Sequence, residues 1–183
     1  MRNGKGMNKY INSLHKTLDN ISIEKLKDIV DVLSRARLGE RKIFIIGNGG
    51  SSATASHFAC DLVKLHSEGL PDFHVISFDN LPILTAYAND DGYDNVYSLQ
   101  LKSMVKPADI VIGISASGNS KNICNAIRAA NSLGAATIGL TGYDGGELGK
   151  LVTWHVNISS NDIKQIEDIH LIMTHMITRI MEW

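Results

Sequence analysis

Apolar and polar positions follow two rhythms along this chain. From Met7 to about Arg37 the apolar residues Tyr10, Ile11, Leu14 and Leu18, then Ile23, Leu26, Ile29, Val30 and Leu33, recur at helical spacing and predict two helices. Asn20 to Ser22 interrupts the pattern, and Ser22 stands where an N-cap belongs, ahead of Glu24 and Lys25. After Gly39 the period changes: Lys42–Ile46 is a continuous apolar run, short enough for a buried strand. The same reading predicts a helix from about Ser52 to Leu65, a strand near His74–Ser77, and helices over Leu81–Asn89 and Val96–Met104. Beyond Pro107 it predicts a strand at Asp109–Ile114, the helix Ser120–Leu133 and a strand at Ala136–Leu140. A Gly-rich turn, Thr141–Gly146, then leads to a short helix, a strand at Trp154–Val156, and a closing helix from about Asp162 to Trp183.

Strands that alternate with helices, and Val/Ile runs without polar alternation, argue for a parallel sheet covered on both faces. The predicted architecture is α/β: a three-layer α/β/α sandwich with a five-stranded parallel sheet. At 183 residues and 44% apolar content the chain fits one domain, residues 1–183, with the helical segment at about 7–37 at its N-terminal end.

Charge removes whole classes of function. A formal net charge of −1, with Lys and Arg scattered, supplies no electrostatic footprint for nucleic acid or an acidic membrane surface. The first twenty residues lack the apolar core of a signal peptide, and no run approaches the roughly 20 apolar residues that span a bilayer. Cys60 and Cys124 lie in apolar, helix-period contexts and read as packed thiols in a reducing compartment. The expected location is the cytoplasm.

Two loops carry the first chemical signal. Gly47-Asn48-Gly49-Gly50-Ser51-Ser52 and Ser115-Ala116-Ser117-Gly118-Asn119-Ser120 each follow a predicted strand and open a predicted helix. In a parallel sheet such loops gather at the carboxyl edge, where backbone N–H groups and helix N-termini make anion sites. Serine hydroxyls add donors without charge. Together the loops suit one phosphorylated small molecule. The first loop has Ser52 where a dinucleotide fingerprint needs its third glycine, and it lacks the Lys of a nucleotide-phosphate loop, so neither cofactor class fits.

Helical spacing carries the second signal. His57 and Asp61 at i and i+4 share one helix face about 6 Å apart along the axis, within reach of one metal, one substrate, or simply each other. The last helix places Glu167, Asp168, His170 and His175 in a pattern otherwise filled by Ile163, Ile166, Ile169, Ile172, Met173 and Met176. Unpaired polar groups are costly to bury, so these residues need core partners, a role, or a second subunit.

The run from Gly47 through Ala59, the Gly113–Ser120 loop, the Thr141–Gly146 turn and the segment Ile166-Glu167-Asp168-Ile169-His170 together resemble the sugar isomerase (SIS) domain family. Within it they are most similar to the phosphoheptose isomerases, in collinear order from about residue 8 to the C-terminus. The resemblance implies a homotetramer with sites shared between subunits. It implies conversion of sedoheptulose 7-phosphate to D-glycero-D-manno-heptose 7-phosphate through an enediol, for surface-glycan heptose. It places Ser115, Ser117, Ser120 and the amide of Ala116 on the phosphate, and Asn48, Gly49, Gly50, Ser51, Asn89, Asp90 and Glu167 around the sugar. The family's metal, usually zinc, falls on His57, Asp61, Glu167 and His175, and its acid/base pair on Asp61 and His175.

This chain departs from the family at named places. Asp61 stands where the family has Glu, and Glu167 where it has Gln. Asp is one methylene shorter, and a misplacement of roughly 1 Å can cost about 10²-fold in rate. Leu62-Val63-Lys64-Leu65 stands where the heptose enzymes commonly place Gly-Arg, which bears on substrate preference. Glu167 and His175 lie about 12 Å apart along a straight helix, so His170 is an alternative neighbour for Glu167. The competing expectation is a non-catalytic SIS protein that binds a phosphosugar or a protein partner. One such relative binds the bacterial replication initiator and has a similar Thr141–Leu148 turn, but it lacks the carboxylate and final histidine kept here as Asp61 and His175.

Overall fold

The computed structural model describes residues 2–182. Strands β1 (Lys42–Gly47), β2 (His74–Ser77), β3 (Ile110–Ser115), β4 (Ala136–Gly142) and β5 (Trp154–Ile158) form one sheet in the order β2-β1-β3-β4-β5. Every pairing is parallel, as the continuous apolar runs predict. Helices α1 (Arg2–Leu18), α2 (Ile23–Leu38) and α3 (Gly50–Lys64) come first. They are followed by α4 (Leu81–Asp90), α5 (Val96–Met104), α6 (Lys121–Ser132), α7 (Gly146–Leu151) and α8 (Ile163–Met181), with a 3-10 turn at Tyr93–Asn95 between α4 and α5.

Successive strand residues point to opposite faces, so a strand covered on both sides must be apolar throughout. Ile43 and Ile45 of β1, with Ile110, Ile112 and Ile114 of β3, pack under α2, α3 and α8. Phe44, Ile46 and Val111 face the other way, against α5, α6 and Leu148 of α7. These are the three layers read from the sequence.

Local signals explain the helix starts. The Ser22 hydroxyl accepts from the Lys25 N–H, Asn80 accepts from Ile83, and Asp162 accepts from Lys164. The strands run further than expected: β1 includes Gly47 and β4 includes Gly142, because the ladder continues through Gly47↔Ile114 and Gly142↔Ile158. Gly142 belongs there for its missing side chain, since a Cβ would lie 2.4 Å from Ile166 of α8. One expectation is corrected: Cys124 is buried, but Cys60 is exposed. On α3 the buried stripe is Ala55, Phe58, Ala59 and Leu62, and Cys60 falls on the solvent side with His57 and Lys64.

The strand order positions the site. From β1 the chain steps outward to β2, then returns to the far side of β1 for β3. The winding reverses between β1 and β3, and ligands of such sheets bind beyond the carboxyl ends of the strands at that reversal. The loops leaving β1 and β3 are Gly47–Ser52 and Ser115–Ser120.

Candidate functional site

Each loop is held by backbone constraints that its glycines permit. Gly49 has φ +54 and ψ −121 at the head of α3, and a Cβ on Gly47 would lie 2.4 Å from the Ser51 carbonyl oxygen. The Ser51 N–H closes the turn on the Asn48 carbonyl at 2.9 Å, and Ser51 itself is buried. Gly118, at φ +66, fits so closely that a Cβ would lie 2.2 Å from the Gly145 carbonyl oxygen.

The β3 loop is braced from behind. Leu148 N–H donates to the Gly118 carbonyl at 2.8 Å, Glu147 N–H to Asn119 Oδ1 at 3.0 Å, and Gly142 N–H to the Ala116 carbonyl at 2.8 Å. The Ser115 hydroxyl donates to Ser120 Oγ at 3.1 Å, and the Ser117 hydroxyl accepts from Asn119 N–H at 3.1 Å. The Ser-rich loop is therefore seated on the Gly-rich turn that follows β4. Asn89 and Asp90, at the exposed end of α4, hydrogen-bond to each other at 2.8 Å.

A second group forms where α3 packs on α8. His57 and Asp61 of α3 meet His175 of α8. The two imidazole Nε2 atoms are 2.9 Å apart, and an Asp61 carboxylate oxygen lies 3.4 Å from His57 Nε2 and 3.8 Å from His175 Nε2. The side chains remain open to ligands, at 50%, 29% and 52% exposure for His57, Asp61 and His175. A cavity of about 660 Å³ beside them is lined from α3, α8 and their ends, including Lys64, Ile172 and Arg179.

Those separations suit a metal. Four ligands at roughly 2.0–2.1 Å around zinc stand about 3.3 Å from one another, and the three donor atoms here are already close to that spacing. Glu167 is not part of the group among the described residues. Its carboxylate lies against the start of α3, 3.0 Å from where a Gly50 Cβ would stand, and 3.5 Å from Lys164 Nζ.

The other polar residues of α8 have separate partners. Asp168 accepts a hydrogen bond from Tyr10 of α1, which with desolvation raises the phenol to about 12. His170 does not join Glu167. It is buried, its Nε2 donates to the Thr141 carbonyl at 3.1 Å, and burial pushes its imidazole down to about 4. The Thr141 hydroxyl donates to Asn157 Oδ1 at 2.8 Å and accepts from His155 Nε2 at 2.7 Å. Burial also lowers the His155 pKa. These residues pin the end of β4, next to the amide that holds Ala116.

Sequence reasoning missed the supports of the first loop. Asn48 and Asn122 form a reciprocal amide pair with both bonds at 2.9 Å, Tyr93 donates to Asn48 Oδ1 at 2.9 Å, and Tyr97 donates to the Gly47 carbonyl at 2.6 Å. The only advance signal was Asn122 following the second loop at the start of a helix.

Fold and loops together define an α/β protein built to hold a phosphorylated sugar at its switch point, and the comparisons agree. The SIS domain model matches residues 8–142. A phosphoheptose isomerase of Geotalea daltonii is 35% identical over 178 residues, covering 94% of this chain and 92% of that protein. A phosphoheptose isomerase of Aliarcobacter butzleri is 42% identical over 144 residues, covering 77% of this chain and 75% of that protein. The structure of a phosphoheptose isomerase from Francisella tularensis shares the fold with a TM-score of 0.92 at 24% identity, covering 100% of this chain and 99% of that one. The chain belongs to the SIS domain family and, within it, to the phosphoheptose isomerases.

Proposed function

We propose that this chain converts sedoheptulose 7-phosphate to D-glycero-D-manno-heptose 7-phosphate, the step that supplies heptose for surface glycans. The observation that carries the reading is the convergence of His57, Asp61 and His175 from two helices, one of which opens at the switch-point loop. Membership of the phosphoheptose isomerases supports the substrate.

The Ser-rich loop takes the phosphate through the hydroxyls of Ser115, Ser117 and Ser120 and the amide of Ala116. These donors lie beside the N-terminus of α6, where the helix dipole favours an anion. Asn48, Gly49, Gly50, Ser51, Asn89, Asp90 and Glu167 line the sugar. Asp61 removes the proton on C1 while His175 delivers one to the C2 oxygen, giving the enediol. Return of a proton to C2, with loss of one from the C1 oxygen, yields the aldose with no net change in atoms. His57, Asp61 and His175 would hold a divalent ion, with zinc suited by two imidazoles and a carboxylate; when bound it supplies a positive charge that polarises the carbonyl and steadies the enediolate, and His175 and Asp61 would then carry protons only on the ring nitrogen and carboxylate oxygen that do not ligate it.

The working form is a homotetramer with sites shared between subunits. Exposed apolar residues on α1, α2 and α8, among them Met7, Ile11, Ile23 and Ile180, support association. So does a cavity at the histidines walled by two helices and otherwise open.

Purified protein incubated with sedoheptulose 7-phosphate, with and without zinc, should form aldose, and Asp61→Ala and His175→Ala should abolish it. Phosphosugar binding without turnover in either metal state would sink the enzyme reading and leave a non-catalytic sugar-phosphate binder.

A further inference from the structure

Three segments meet at one atom, Asn48 Oδ1. It accepts from Asn122 Nδ2 at 2.9 Å and from the Tyr93 hydroxyl at 2.9 Å, which fills both lone pairs of an amide oxygen, with the Tyr97 hydroxyl further off at 3.4 Å. Asn48 Nδ2 donates back to Asn122 Oδ1 at 2.9 Å. That oxygen also accepts from the Ile123 backbone N–H at 3.0 Å, a donor that fixes which end of the Asn122 amide faces Asn48. One N–H of Asn48 is left for a ligand, so most of this side chain's bonding capacity serves the protein.

The partners come from the parts that must act together. Asn48 lies in the sugar-lining loop between β1 and α3, beside Gly49, whose missing side chain allows the positive φ of the turn. Asn122 is 2% exposed in the first turn of α6, the helix that Ser120 opens at the phosphate loop. Tyr93 lies three residues beyond the Asn89–Asp90 segment, and it is 57% exposed although its hydroxyl is bonded. A phosphosugar must reach from the serine loop to the sugar-lining loop, so its binding depends on the distance between them.

We propose that Asn122 and Tyr93 are positioning residues: by gripping the Asn48 carboxamide from two sides they set the separation and orientation of the sugar-lining loop relative to the phosphate-holding loop. This rests on the isomerase reading for its substrate. Neither residue needs to touch the ligand. Asn122 ties the loop to a rigid helix, and Tyr93 ties it to the third sugar-lining segment.

The test compares wild type with Asn122→Ala and Tyr93→Phe by titration calorimetry against two probes, with steady-state kinetics and melting temperature measured alongside. Inorganic phosphate engages the serine loop alone, whereas sedoheptulose 7-phosphate spans both loops. In Asn122→Ala, phosphate affinity should stay within about twofold while sedoheptulose 7-phosphate affinity falls by about tenfold or more and KM rises with it, since displacement of a bound group by about 1 Å is costly. Tyr93→Phe should show the same selective loss, smaller in size, at an unchanged melting temperature. Equal weakening of both probes would reduce Asn122 to a support of the serine loop's own fold and overturn the proposal, as would unchanged affinity for both. Should Asn122→Ala fail to fold, Tyr93→Phe decides, and wild-type affinity for sedoheptulose 7-phosphate in that variant overturns the proposal. Wild type that binds sedoheptulose 7-phosphate without turning it over rejects the isomerase reading, and the two binding comparisons still judge the positioning role.

Discussion

His170 brings a neutral imidazole into the core of the protein, with Nε2–H spent on the Thr141 carbonyl and Nδ1 buried without a partner among the described residues. An orphaned lone pair on a neutral ring is tolerable, but protonation would bury an unpaired N–H and a charge, which is why burial pushes the group from 6.5 down to about 4. Above about pH 6.5 both folded and unfolded chains hold a neutral His170, and nothing is lost. As pH falls from there towards about 4, the unfolded chain binds a proton that the native state refuses, so stability declines at about 1.4 kcal/mol per unit, some 3 kcal/mol in all. Chemical denaturation at pH 7, 6 and 5 should show wild type losing stability faster than His170→Gln over that window; parallel curves would contradict it. Asp61 offers a test at the site itself. Asp61→Asn keeps the shape and removes the base, and turnover should fall by about 10²-fold or more. Asp61→Glu restores the carboxylate length of the family and, opening onto the α3/α8 cavity, should retain measurable turnover in the same assay.

Elements depend on close backbone contact as much as on side-chain packing. The junction of the β3 loop with the turn before α7 is the tightest of these, because a Cβ on Gly118 would overlap the Gly145 carbonyl and φ is +66 there. Gly118→Ala should cost about 2 kcal/mol or more, visible as a melting temperature lower by roughly 4–8 °C, and should weaken phosphate binding because the serine loop shifts with it. Unchanged melting would mean the two loops are not interlocked. The elements themselves were readable in advance, since the change from period 3.6 to continuous apolar runs marks the inner strands β1, β3 and β4, while the short β2 and β5 carry polar residues among their apolar ones. Glycines hid the strand ends at Gly47 and Gly142, where a residue without a side chain reads as a turn although the ladder continues through it. Both Gly/Ser loops and the His57–Asp61 spacing were also legible, being local in sequence. The meeting of His175 with His57 entered through the family resemblance alone, and strand order and the Asn48–Asn122 pair were not legible, because no periodicity encodes pairings between separate elements, here 118 residues apart for the histidines and 74 for the asparagines. Cys60 misled for a related reason: a small apolar residue in a helical stretch does not reveal which face the neighbouring layer covers.

At the scale of the whole molecule the apolar balance is unfinished. Met7 is 67% exposed, Ile23 50% and Ile180 55%, and α2 and α8 frame an apolar hollow of about 130 Å³ lined by Leu26, Val30, Met176 and Ile177 among others. Scattered exposed apolar residues are ordinary, but Ile23 and Ile180 line this hollow, and a second copy seated there would bury them. If the active form is a tetramer, sedimentation equilibrium should return four times the chain mass. Ile180→Glu, which places a charge beside that hollow, should shift the distribution to smaller species while far-ultraviolet circular dichroism keeps its helical signal. Because the cavity at His57, Asp61 and His175 is walled by α3 and α8 and open elsewhere, the smaller species should also lose most of its turnover, and activity should return with concentration as subunits reassociate. A monomer of full specific activity would show instead that each chain carries a complete site, with the open side of the cavity left to solvent.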